Sequence, residues 1–391
     1  MKYDSIIAGA GFSGATIARK LAEAGKKVLV CDRRKHVSGN MYDAYDENGI
    51  LVQKYGPHIF HTNSDAIWQF VCRFSRMKEY RLKCSAEIDG RMVPSPFNLS
   101  AIDLLYEKED GKRLKAQLRK EYGDRKTITI VEMLASSNAV VRSYAEMLFE
   151  KDYRLYTAKQ WGLKPEEIDV SVLNRVPVLL DDRDTFFNDK YEALPEKGYT
   201  EMFRKLLDHP NITMRLETDV IPLMKLDVSN KLLYWEQNIF TGDFVFTGAI
   251  DELLAYKYGK LPYRALWFDY KTLPADRYID RTPIAVYPQR EGYTRITEYK
   301  WLQEQHVDGM TKIATEYPLE YVPGDEKAGE PYYPVINDTN VELYQNYRNE
   351  LSVFERLYLC GRLAEYKYYN MDDAIQRAFE VSEEILSGDK T

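Results

Sequence analysis

The first apolar run of the chain, Ser5 to Ala8, leads directly into Gly9-Ala10-Gly11-Phe12-Ser13-Gly14. Beyond it, the spacing of Ile17 and Leu21 puts both on one face of a helix predicted from Ala15 to Glu23 and closed by Gly25. A second strand is predicted over Lys27 to Cys31, ending at Asp32. Helical patterns rich in Leu, Lys and Glu fill residues 65–80 and 100–160. Short β-like runs occur within 210–250, among them Leu232-Leu233-Tyr234-Trp235 and Phe244-Val245-Phe246. Residues 262–335 alternate aromatic and polar positions between turns, as strands do. A strand over Leu357 to Cys360, then Gly361, then a helix from about Asp372 to Leu386 complete the pattern. This order predicts an α/β protein whose nucleotide-binding domain is discontinuous and is revisited late in the chain.

The glycines at 9, 11 and 14 come after a strand and open a helix, and the last of them precedes by 18 positions an acidic residue, Asp32, at the end of the next strand. That is the full context of a dinucleotide-binding fingerprint. Gly9 makes the tight turn, Gly11 lets a pyrophosphate approach the backbone, and Gly14 permits close helix–strand packing. Phe12 and Ser13 lie at the helix N-terminus, whose unpaired N–H groups and partial positive charge favour phosphates. Asp32 is placed to accept from the hydroxyls of an adenosine ribose.

Composition narrows the partners. With 391 residues the chain is long enough for two or three domains, and its net charge of −7 gives no bulk attraction to nucleic acid or anionic membrane. A polyanionic ligand therefore needs a local Arg and Lys cluster. No apolar run approaches the ~20 residues of a membrane span, and no signal-peptide pattern is present, so a cytoplasmic protein is expected. Cys31, Cys72, Cys84 and Cys360 lack CxxC spacing and fit reduced thiols, and the five histidines lack metal-ligand spacing, so no metal is expected. There are 31 tyrosines against 15 phenylalanines. Most serve packing with a polar tip, but a few can line a wet pocket suited to sugars and phosphates.

The stretch Arg33-Arg34-Lys35-His36-Val37-Ser38-Gly39-Asn40 resembles the second glycine-rich segment of FAD enzymes related to amine oxidases, and Leu359-Cys360-Gly361-Arg362 resembles their return strand beside the flavin. Two separated nucleotide segments favour FAD over NAD. The resemblance becomes specific at Tyr55-Gly56-Pro57-His58-Ile59-Phe60-His61-Thr62, Tyr156-Thr157-Ala158-Lys159-Gln160-Trp161-Gly162 and Phe187-Asn188-Asp189-Lys190-Tyr191. It continues at Tyr263-Arg264, Tyr293-Thr294-Arg295-Ile296, Glu330-Pro331-Tyr332-Tyr333-Pro334-Val335, and Gly361 through Asn370-Met371. In this order, over essentially the whole chain, these blocks are similar to the bacterial UDP-galactopyranose mutases.

That resemblance implies a Rossmann-like FAD-binding domain from residues 1–85, 195–260 and 351–391. It further implies a helical domain with a mobile substrate loop over 100–172, and an antiparallel-sheet substrate domain from 86–99, 173–194 and 261–350. It implies that Arg175 and Arg295 grip the substrate diphosphate and that Tyr333 and Tyr368 hydrogen-bond it. Tyr156 stacks on uracil, while Trp161, Asn188 and Arg264 lie along the substrate. His58, with Ile59, sits beside the isoalloxazine. Gly39, Asn40, Arg33, Gly361, Arg362, Asn370 and Met371 join the glycine fingerprint around FAD. Several positions depart from the family pattern: Ser38 replaces a glycine, Phe186 a tyrosine, Leu179 an arginine and Ala249 a proline. Asn370 stands for a frequent aspartate and Trp267 for a charged residue.

No paired-carboxylate or Ser/His/Asp motif offers a protein nucleophile. The resemblance implies that reduced FAD provides it. Its N5 attacks the anomeric carbon and displaces UDP, and a flavin iminium allows the ring to open and close between UDP-galactopyranose and UDP-galactofuranose. The same resemblance implies a homodimer. Two other readings remain open: a mutase for a related sugar, such as UDP-N-acetylgalactosamine or UDP-arabinopyranose, and an amine-oxidase-like FAD oxidoreductase.

Overall fold

The computed structural model describes residues 2–162 and 176–388. Its centre is a five-stranded, all-parallel sheet in the order Ile212–Arg215, Val28–Cys31, Ser5–Ala8, Asp243–Phe246, Leu357–Leu359. Strand alternation sorts its side chains onto two faces. Ile7, Val28, Val30 and Val245 pack with Ala15, Ala18 and Leu21 of helix Phe12–Glu23 and with Ile375 and Ala378 of helix Met371–Ser387. Ile6, Leu29, Phe244 and Phe246 pack on the other face with Trp235, Tyr344 and Tyr347. Buried on both faces, these strands read as short apolar runs rather than as alternations.

A second sheet has seven strands in the order Tyr333–Pro334, Tyr263–Leu273, Thr311–Glu320, Arg295–Glu298, Ile284–Val286, Cys84–Ile88, Arg91–Ser95. It is antiparallel except where Ile284–Val286 runs parallel to Cys84–Ile88. A helical layer adjoins it, cored by Phe97, Ile102, Leu114, Leu118, Val141, Tyr144 and Leu148. Three of its helices start at side-chain caps: Asn98 accepts from Ala101 N, Asn138 from Val140 N, and Thr129 forms a capping box with Glu132. Among the described residues no helix is long and apolar enough to cross a membrane.

Two expectations shift. The first helix begins at Phe12, three residues earlier than the periodicity suggests, because the extended Gly11 is already its N-cap. The helical reading of 65–80 holds only for Asp65–Cys72, whereas Met77–Glu79 is a strand paired with Tyr191–Pro195. That strand has no local signature. Its pairing partner, more than a hundred residues away, makes it.

Candidate active site

Ligands of open parallel sheets bind beyond the carboxyl ends of the strands, and here all five strands deliver loops to one open cavity. Gly9, Gly11, Phe12, Ser13 and Gly14 come from the first loop, and Asp32 and Arg33 from the second. Gly39, Asn40 and His58 extend the lining, and Gly361, Arg362, Asn370 and Met371 return from the last strand. Ile59 is buried behind this lining, in the core. The cavity also takes Arg34, Thr218, Asp219, Val220, Ile221, Thr247, Gly248, Glu252 and Tyr369, none of which a sequence motif singles out as a ligand contact. Only the rule that strand ends converge could have found them.

The glycines are required by contact. A Cβ on Gly14 would lie 2.0 Å from the Gly9 carbonyl oxygen, and one on Gly9, at φ +108°, would lie 2.0 Å from Thr247 Oγ1. Gly39, at φ +54°, would place a Cβ 3.0 Å from Gly11 Cα, so the two glycine-rich loops meet backbone to backbone. Asp32 accepts from Ala10 N at 2.8 Å and from Arg34 N at 2.9 Å. These bonds fix the carboxylate while leaving further lone pairs toward the cavity. Arg33 and Arg34 are held in turn by Glu330, at 3.2 and 2.7 Å. Burial pushes the Glu252 carboxyl up to about 7, against the pull of Arg33 3.7 Å away.

Ser38 takes φ +82°, the left-handed backbone that a glycine would adopt without strain. Its hydroxyl is buried and has no hydrogen-bond partner among the described residues. Replacing it should relieve both costs. Ser38→Gly is expected to raise resistance to urea by about 1 kcal/mol, the strain and desolvation removed outweighing the added chain entropy. Equilibrium unfolding would show it, and a lower midpoint would mean that the hydroxyl contributes to the folded loop.

Beyond the cavity, aromatic and cationic groups continue the wall. His58 Nδ1 lies 2.9 Å from the Gly56 carbonyl oxygen, which can only accept, so the proton sits on Nδ1 and Nε2 keeps its lone pair. Nε2 is 3.2 Å from the oxygen of the Tyr332 hydroxyl, whose single proton goes to Tyr55 O, so the Nε2 lone pair is not taken up by it. Burial above all, with Arg362 and Arg295 nearby, pulls the imidazole down to about 3, so it is neutral at working pH. The Arg362 guanidinium lies 4.9 Å from both the Tyr333 and Tyr368 ring centroids, and those rings stack at 5.8 Å. Trp161 approaches Tyr333 at 6.4 Å.

Arg295 stands opposite Glu316 across two antiparallel strands. Its Nε and one terminal nitrogen each lie 2.7 Å from the same carboxylate oxygen. Burial opposes the charge, but Glu316, itself 2 % exposed, outweighs it and raises the guanidinium pKa. One edge of the fork is thus anchored and the cation is permanent. Tyr156 and Tyr333 lie within the field of this cation.

Arg264 adjoins this group as the register partner of Tyr333, but its guanidinium is engaged elsewhere. Arg264 donates to Gln160 O at 3.1 Å and Lys159 O at 3.4 Å, so its guanidinium closes the C-terminal turn of helix Arg154–Trp161. Asn188 is exposed, between Phe187, which stacks on His61 at 3.9 Å, and Asp189, which pairs with His61 Nδ1 at 3.2 Å. Arg175 lies outside the described residues. Among the departures, Leu179 is 1 % exposed in strand Val178–Leu179, where an arginine would have to bury its charge. Trp267 lies under Lys327, 4.2 Å from its ammonium. Among the described residues no group of three His, Cys, Asp or Glu side chains is arranged to hold a metal.

A family model described as UDP-galactopyranose mutase matches residues 151–368, the stretch that carries Tyr156, Arg264, Arg295, Tyr333 and Tyr368. The chain belongs to the UDP-galactopyranose mutase family. It is therefore an isomerase by family. A second model, an NAD(P)-binding Rossmann-like domain, matches residues 7–74, from the glycine fingerprint through helix Asp65–Cys72. The UDP-galactopyranose mutase of Mycoplasma pneumoniae is 32% identical, covering 98% of this chain and 96% of that protein. The dTDP-fucopyranose mutase of Escherichia coli is 34% identical, covering 98% and 99%. A solved structure of reduced UDP-galactopyranose mutase superposes with a TM-score of 0.72 at 18% identity, covering 99% of this chain and 94% of that one, which establishes the shared fold.

Proposed function

We propose that this member of the family binds FAD and, with the flavin reduced, interconverts UDP-galactopyranose and UDP-galactofuranose. The observation that carries the reading is the anchored Arg295 fork set among Tyr156, Tyr333 and Tyr368, directly beyond a glycine-walled dinucleotide cavity. FAD fits that cavity on chemical grounds: two backbone-only loops for the pyrophosphate, Asp32 for a ribose, and neutral His58 with Arg362 at the far end. Bound and reduced, the flavin would supply the nucleophile for the anomeric carbon, for which no motif among the described residues offers a side chain. The protein's part is to orient and to hold charge. Arg295 takes the diphosphate as it leaves, helped by the tyrosine hydroxyls and, on the sequence motif alone, by Arg175. Held in place, the diphosphate recombines as an intramolecular partner. His58 cannot act as an acid. Its Nε2 only accepts. The same reading makes the enzyme a cytoplasmic homodimer, on the family's pattern.

A second reading concerns the substrate. The relative named for dTDP-fucopyranose, together with Phe186 where a tyrosine is usual, favours keeping other nucleotide-linked pyranoses open, UDP-N-acetylgalactosamine and UDP-arabinopyranose included. The deciding experiment is incubation of dithionite-reduced protein with UDP-galactofuranose and with a panel of these sugars, products being separated by chromatography. The purified protein should be yellow and release FAD on denaturation. Conversion should occur only after reduction. A colourless folded protein that takes up no FAD, or equal turnover by strictly oxidised enzyme, would end this reading.

A further inference from the structure

Helix Ala139–Leu148 passes into helix Arg154–Trp161 through one wide turn, Phe149–Tyr153, with π-type hydrogen bonding. Such turns cost helical regularity and recur at functional positions. Tyr153 turns inward, 6 % exposed, and donates to Val176 O at 3.0 Å. Asp152 does not turn with it. It is half-buried beside Tyr156, four residues on, and close enough to raise the Tyr156 hydroxyl's pKa.

What singles out Asp152 is that no described residue donates to it. Lys159 is the cation whose field it feels, but all three protons of that ammonium are spent. Lys159 Nζ donates to Tyr287 O at 2.6 Å, to Arg290 O at 2.8 Å and to Tyr293 O at 2.8 Å. An ammonium has three donors and no more. Left without a donor among the described residues, the Asp152 carboxyl is pushed by burial up to about 7. A half-buried carboxylate that no described side chain donates to is open to a ligand donor, and this one lies one helical turn before the side chain that the proposed function places against the nucleobase.

We propose that Asp152 reads the base of the nucleotide, its carboxylate accepting the ring N–H that uracil and thymine carry at N3 and guanine at N1. The inference rests on the nucleotide-sugar reading above and adds to it the group that selects the base. Cytosine and adenine present a bare ring nitrogen at that edge, and the ionised carboxylate, the form that prevails above about pH 7, would there face a second acceptor, so the comparison is made at pH 8 or above.

The test uses FAD-loaded protein and measures dissociation constants for UDP, dTDP, GDP, CDP and N3-methyl-UDP, for wild type and Asp152→Asn. A charge-assisted hydrogen bond lost from a sheltered site corresponds to roughly 10- to 100-fold in affinity, so N3-methyl-UDP and CDP should bind wild type that much more weakly than UDP. The order among UDP, dTDP and GDP names the base. Asp152→Asn exchanges one acceptor for a donor and should shift the UDP-to-CDP ratio at least about tenfold toward CDP, with flavin content unchanged. A purely structural role would weaken all five ligands alike. Equal affinity of wild type for UDP and N3-methyl-UDP, or an unchanged UDP-to-CDP ratio in the variant, would overturn the assignment. Should the variant fail to load FAD, the wild-type comparison with N3-methyl-UDP still decides. Absence of binding by every nucleotide would instead remove the nucleotide reading itself.

Discussion

Arg295→Ala is expected to reduce turnover by at least about 100- to 1000-fold while the protein still binds its flavin, the scale seen when one preorganised donor to a developing charge is removed. The guanidinium lies outside the lining of the dinucleotide cavity, so cofactor retention should be nearly unaffected. Folding will suffer as well. Glu316, 2 % exposed, loses its only charged partner among the described residues, keeping just the Thr294 hydroxyl at 3.2 Å. An orphaned buried charge costs about 3–5 kcal/mol. The two losses can be separated. In Arg295→Ala with Glu316→Gln the uncompensated charge is gone, so thermal stability should recover in part while turnover does not. Arg295→Lys should be nearly as inactive, because a point charge cannot hold Glu316 and a diphosphate with one planar fork. Wild-type turnover in Arg295→Ala would remove this residue from the site.

The second large effect concerns the cofactor. Gly14→Ala is expected to give protein with little or no bound flavin and much reduced soluble yield. Its methyl would sit 2.0 Å from the Gly9 carbonyl oxygen and 3.1 Å from Ile7 Cγ2. The first of these is backbone within the turn that approaches the phosphates, so no side-chain rotation relieves it. Overpacking in a tight core costs about 1–3 kcal/mol even when neighbours can yield. Gly25→Ala is the control. Gly25 has positive φ, +88°, which Gly14 does not, but nothing lies within 4 Å of its added methyl. It should cost about 1 kcal/mol of strain and keep a full complement of flavin, read as the ratio of visible to protein absorbance. Equal flavin content in both variants would show that the Gly14 contact is not what shapes the cradle.

Ser38 shows where sequence reading stops even at a motif. Its place in the second glycine-rich segment is visible in the letters, but its left-handed φ appears only in the folded loop, where the Gly11 backbone packs close to the adjacent Gly39. Arg264 shows the reverse case. Placed along the substrate by resemblance, its guanidinium is engaged by the carbonyls of Lys159 and Gln160, and only a test of binding can give it a further part. The strand-end segment from Thr218 to Ile221 carries no signature at all, yet it lines the cavity because the parallel sheet brings its strand beside Val28–Cys31.

The sequence by itself determined the nucleotide turn, since Gly9, Gly11, Gly14 and Asp32 act at separations that one strand, one helix and the next strand span without help. It determined the family in the same way, through short blocks whose order survives unaligned. Only the tertiary structure decided that Glu316 anchors Arg295 and that Lys159 has no proton left for Asp152. Both depend on partners between 21 and 134 residues away. Local spacing fixes which face of an element a side chain takes. Strand register and burial decide what it meets there, and those are set by the whole fold.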